Sequence, residues 1–157
     1  MASPVTRPVR HNAAESDATP ERVPSATDAT PLQSRHLTYL RTEGYVPEVD
    51  EDGDIRFKRE GFTYYIIVDE EDPEYFRILF PGIWIVEDPA EHGRVLAACS
   101  EVSRRTKVVK AYLRDDRVNL SVEMLLPDPK DVPAVFPRSM TIFSAARDRF
   151  IEEMSPE

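Results

Sequence analysis

Between Val118 and Met124 apolar and polar residues alternate without a break: Val118, Leu120, Val122 and Met124 against Asn119, Ser121 and Glu123. A period of two puts all the apolar side chains on one side of an extended strand, so the segment predicts a sheet with one buried face. From Phe136 the period changes. Phe136, Met140, Phe143, Ala146, Phe150 and Met154 recur at spacings of four and three, which lines them up along one side of an α-helix. A half-buried strand and an amphipathic helix in one chain require that helices cover a sheet.

The remaining punctuation is consistent with that layering. Thr30-Pro31 reads as a helix start, with Leu32, His36, Leu37 and Leu40 at helical spacing and Gly44 as its stop. Asp50-Glu51-Asp52-Gly53 is turn chemistry between short apolar segments, and Glu60-Gly61 is a second turn before the β-branched and aromatic run Phe62 to Val68. A polar loop leads to Tyr75–Phe80, a strand that ends at Pro81-Gly82 or resumes after a kink through Ile83–Val86. Asp88-Pro89 opens a helix whose stripe is Val95, Ala98, Cys99 and Val102, and two strands flank Asp115-Asp116. The expected fold class is α+β: an antiparallel sheet with helices packed mainly on one face, in the order α-ββββ-α-ββ-α.

Residues 1–30 hold four prolines and no Leu, Ile, Phe, Tyr or Trp, too little apolar surface to offset the entropy of ordering. They are expected to form a disordered tail, leaving residues 31–157 as a single domain. The 157-residue chain carries 20 basic and 29 acidic residues, a net charge of −9 that opposes nucleic acid and anionic membranes at long range. No apolar run is long enough to span a bilayer. A single cysteine, Cys99, offers no disulfide framework, which suits a reducing, cytoplasmic setting.

Candidate chemical motifs are few. Glu48 to Arg59 imitates a calcium-binding loop, with Glu48, Asp50, Asp52 and Gly53 at suitable places, but Arg59 stands where a bidentate carboxylate belongs. A plain acidic β-turn accounts for it better. His11, His36 and His92 show no metal-ligand spacing, and Cys99 lies on an apolar stripe, so neither a metal nor a cofactor is expected. Nucleophile elbows and glycine-rich phosphate loops are missing from a chain with five glycines. The reading is non-enzymatic; catalysis would need a carboxylate pair assembled by the fold, such as Glu123 with a loop aspartate. Arg104, Arg105, Lys107 and Lys110 form a basic run that, with Tyr112 as a stacking platform, gives an alternative reading as a nucleic-acid or small-ligand-binding regulator.

More informative is the face turned away from the helices. If Phe62, Tyr64, Ile66 and Val68 point at the core, Tyr65 and Ile67 point outward, and the same alternation adds Tyr75, Leu79 and Tyr112. Tyr65, Ile67, Tyr75, Leu79 and Tyr112 are therefore expected to form an apolar partner-binding face, unless another segment of the chain folds over it.

The run Arg94-Val95-Leu96-Ala97-Ala98-Cys99-Ser100-Glu101-Val102-Ser103-Arg104-Arg105-Thr106-Lys107-Val108-Val109-Lys110-Ala111, followed by Val118-Asn119-Leu120-Ser121-Val122-Glu123, resembles the central helix and last strands of bacterial YbjN-type domains. These are similar in fold to type III secretion chaperones, and the resemblance extends over roughly Leu32 to Met154. It implies a bacterial, cytoplasmic, non-enzymatic domain. Chaperones of that fold are small, acidic and commonly homodimeric, and hold an extended segment of a client; YbjN-type domains themselves are associated with regulatory roles. The resemblance carries over no functional residue. It implies a protein-interaction, chaperone-like or regulatory module that binds a protein partner or a second copy of itself.

Overall fold

A computed structural model describes residues 28–155; of the disordered tail expected over residues 1–30, residues 1–27 lie outside the described residues. Thr30 starts helix α1 (Pro31–Thr42) through a reciprocal cap. Its hydroxyl accepts from the Gln33 N–H at 3.2 Å, while the Gln33 side chain accepts from the Thr30 N–H at 2.8 Å. Strands β1 (Glu48–Val49) and β2 (Ile55–Arg59) form the expected hairpin. The turn into β3 (Phe62–Ile67) has Glu60 and Gly61 at φ 52° and 82°, the positive values that a two-residue hairpin turn needs to match strand twist.

Strand β4 (Tyr75–Ile85) does not stop at Pro81-Gly82. It continues through a register shift between Phe80 and Trp84, where Gly82 adopts φ 66° and its N–H donates to Asn119 Oδ1 at 2.9 Å. The extra residues of the bulge absorb the proline without ending the strand. Asp88 caps a short 3-10 turn, Pro89–Glu91, which leads into α2 (His92–Arg105). Strands β5 (Val109–Arg114) and β6 (Arg117–Leu125) follow, then α3 (Val132–Met154).

The six strands form one antiparallel sheet in the order β1-β2-β3-β4-β6-β5. All three helices pack on the same side of it. Ile55, Phe57, Tyr64, Ile66, Ile78, Phe80, Leu120 and Val122 from the strands meet Leu40, Val95, Val102, Phe136, Phe143 and Phe150 from the helices in a single core. Tyr64 and Phe80 both contact the Phe143 ring, at 5.7 and 5.9 Å between centroids. The expected α-ββββ-α-ββ-α order and one-sided helix layer are both present.

One expectation needs correction. Strand β6 was expected to bury a single face, yet Asn119 and Ser121 are buried along with Val118, Leu120 and Val122. The reason is position: β6 lies between β4 and β5, and its small polar side chains sit between longer neighbours on both sides.

Candidate functional site

The face opposite the helices carries every residue expected there. Tyr65 and Ile67 alternate with buried Tyr64 and Ile66, Tyr75 and Leu79 with buried Phe76, Ile78 and Phe80, and Tyr112 lies between core-packed Ala111 and Leu113. Register decides which of them meet. Tyr65 stands directly opposite Leu79, whereas Ile67 faces Arg77, Tyr75 faces Leu125 and Tyr112 faces Asn119. Leu125, absent from the expected set, is 73% exposed and extends the apolar rim beside Tyr75.

The middle of this face is not apolar, contrary to expectation. Glu123, whose side chain is only 11% exposed, lies between Arg77 (3.5 Å) and Lys110. The Ser121 hydroxyl donates to it at 2.7 Å, and the Tyr75 hydroxyl also bonds to it. Arg77 in turn donates to the Tyr112 hydroxyl oxygen at 2.9 Å. Two of the three tyrosines are thus held in place by an ion-pair cluster. Burial alone would raise the Glu123 carboxyl, but the hydrogen bonds from Lys110, Ser121 and Tyr75, with the Lys110 charge, hold it down at about 2. Burial, then the bond to Glu123 and its charge, push the Tyr75 phenol up to about 12.

This geometry bears on the other candidates. Glu123 has two cations for partners, and its carboxyl is displaced away from the range that a general acid or base needs. In the calcium-like loop, Glu48 pairs with Arg56, Asp50 accepts the N–H groups of Asp52 and Asp54, and Asp54 accepts that of Val68. The carboxylates brace the hairpin. Among the described residues no cluster of three or more metal-ligating side chains forms. Cys99 is buried, and burial pushes its thiol up to about 11. Three members of the basic run have acidic partners: Arg104 with Glu101, Arg105 with Glu153 and Lys110 with Glu123. Among the described residues no helix is long and apolar enough to cross a membrane.

The sheet edges are unequal. At the β5 edge, Ser103 of α2 accepts from the Ala111 N–H at 2.9 Å and donates to the Ala111 carbonyl at 3.4 Å. A strand added there would have to displace it. At the other edge β1 is two residues long and covers only Ile55 and Arg56 of β2.

A six-stranded antiparallel sheet shielded on one side by helices, with aromatic, aliphatic and charged groups on its open side, defines an α+β domain of two layers. The family described as "T3SS (YopN, CesT) and YbjN peptide-binding chaperone 1", TY-Chap1, matches residues 35–130, and the chain belongs to it. Among solved structures, the crystal structure of YbjN from E. coli, a candidate transcription regulator, superimposes with a TM-score of 0.57 at 11% identity, over 73% of this chain and 87% of that one. That likeness is one of fold. The comparison with curated proteins gives no match.

Proposed function

We propose that this chain is a non-enzymatic peptide-binding module, chaperone-like or regulatory, that holds an extended segment of a partner protein against the open face of its sheet in the cytoplasm. The observation that carries the reading is the pairing of Tyr65 with Leu79 beside Ile67, Tyr75 and Tyr112 on a face that no helix among the described residues covers. The peptide-binding description of the family supports it. Affinity would come from apolar contact over this face; a strand added at the β5 edge would have to displace Ser103, whereas β2 beyond Arg56 has no strand on its outer side among the described residues.

The homodimer implied by the resemblance is a second reading. Face-to-face association would place like cations of two copies against one another, which favours a different protein as occupant. The nucleic-acid reading through Arg104–Lys110 is weakened by the acidic partners of three of its four cations.

The test is binding of the labelled full chain to an array of random 12-residue peptides. The wild type retains a reproducible subset; a Tyr65→Glu, Ile67→Glu double variant loses it while its circular dichroism spectrum stays unchanged. An array with no reproducible binders, or binding that the double variant keeps, overturns the proposal.

A further inference from the structure

In a chain with 29 acidic and 20 basic residues, the open face of the sheet has the opposite balance. Strand parity and register place six cations there, Arg56, Lys58, Arg77, Lys110, Arg114 and Arg117, against two carboxylates, Glu48 and Glu123. Glu123 is enclosed by Arg77 and Lys110, Glu48 is paired with Arg56 and Asp116 with Arg117, so Lys58 and Arg114 are the cations of this face that have no acidic partner among the described residues, and the remaining charge is positive. The two carboxylates sit within the cluster of cations, while Lys58 and Arg114 lie exposed toward opposite sides of the sheet.

We infer that the partner segment is acidic: an extended peptide with apolar residues flanked by carboxylates. This rests on the peptide-binding reading above and specifies its occupant. Charge complementarity carries it, because cations concentrated on one face of an otherwise anionic protein attract an anionic segment to that face and repel it elsewhere. Register gives the spacing. Arg56, Tyr65, Leu79, Ser121 and Lys110 form one continuous row across five strands, a cation at each end and Tyr65 and Leu79 between. Four strand spacings span about 19 Å, which an extended chain crosses in about six residues. Arg56 and Lys110 already hold Glu48 and Glu123, and the free cations Lys58 and Arg114 lie on the same two outer strands of the five, so the matching segment has acidic residues at least about six apart with apolar side chains between them.

A polyanionic nucleic acid would meet the same cations. Two features favour the peptide: Leu79, opposite Tyr65, and Ile67 give the face aliphatic groups beside its ion-pair cluster, and Tyr75 and Tyr112 have their hydroxyls engaged by Glu123 and Arg77. The net charge of −9 also opposes a long polyanion.

The experiment uses the same peptide array with the full chain, with fluorescent oligouridine as a separate probe. The expected binders are enriched in Asp and Glu flanking Leu, Ile or Phe, and a Lys58→Glu, Arg114→Glu variant weakens them by about tenfold or more at low salt. Both positions are exposed, and the milder Lys58→Gln, Arg114→Gln pair replaces them if the charge-reversed variant misfolds. Binders with no acidic enrichment, or binding indifferent to both variants, overturn the inference and leave the peptide-binding proposal standing. Absence of peptide binders, or retention of oligouridine in their place, overturns both.

Discussion

Replacing Glu123 by Gln removes the charge at the centre of the open face and keeps the shape. The carboxyl is held at about 2 against an ordinary 4.5, despite burial that would raise it. A depression of that size corresponds to about 3 kcal/mol of folding stability at neutral pH. Because Lys110 is 65% exposed and its attraction is screened, about 2 kcal/mol is the better expectation. The sign follows from the direction of the displacement. Above 4.5 the carboxyl is ionised in both folded and unfolded chains, and the stabilisation is fully present; as pH falls from 4.5 toward 2 the unfolded chain takes up the proton first, and the stabilisation is lost. The cost of Glu123→Gln should therefore shrink from about 2 kcal/mol at pH 7 to under about 1 kcal/mol at pH 3. Urea unfolding followed by circular dichroism at both pH values measures this directly, because other acid-labile groups are common to both proteins. An equal cost at pH 7 and pH 3 would refute the ion-pair argument and assign the effect to packing; so would no cost at pH 7.

Two further outcomes follow from single side chains. His36 is 4% exposed beside the Phe76 ring; burial, aided by the Arg35 charge, lowers its imidazole to about 4 from 6.5. The stability it leaves intact above 6.5 is lost as pH falls toward 4, about 2 kcal/mol between pH 7.5 and pH 5. Urea midpoints of the wild type and His36→Met should diverge in slope over that window, and parallel curves would remove His36 from the account. Val108, between α2 and β5, adopts φ 57°, a left-handed conformation that costs a β-branched residue about 1–2 kcal/mol. Val108→Gly should raise the unfolding free energy by about 0.5–1 kcal/mol, and a lower one would mean that the half-exposed valine contributes more by contact than it loses by strain.

How much of this was legible in the sequence differs from one residue to the next. Arg77 shares the parity of Tyr75 and Leu79, so its place on the open face follows from alternation alone, although the apolar reading of that face passed over it. Arg56 and Lys58, alternating with buried Ile55 and Phe57, are legible in the same way. The meeting of Glu123 with Arg77 and Lys110 has no such local signal. It requires β6 to lie between β4 and β5, and it requires the registers on both sides. Ser103 is a similar case: an exposed helix serine by pattern, it caps the β5 edge because α2 packs beside that strand.

The sequence by itself determined the elements, their order and the side of each strand that joins the core, because hydrophobic period, capping and turn chemistry act over a few residues. Only the tertiary structure decided that cations of two strands, β4 and β5, and two tyrosines close around one largely buried carboxylate, Glu123. Which strands become neighbours depends on the α2 crossover and on the bulge at Gly82, and those set the lateral distances on which charge pairing depends.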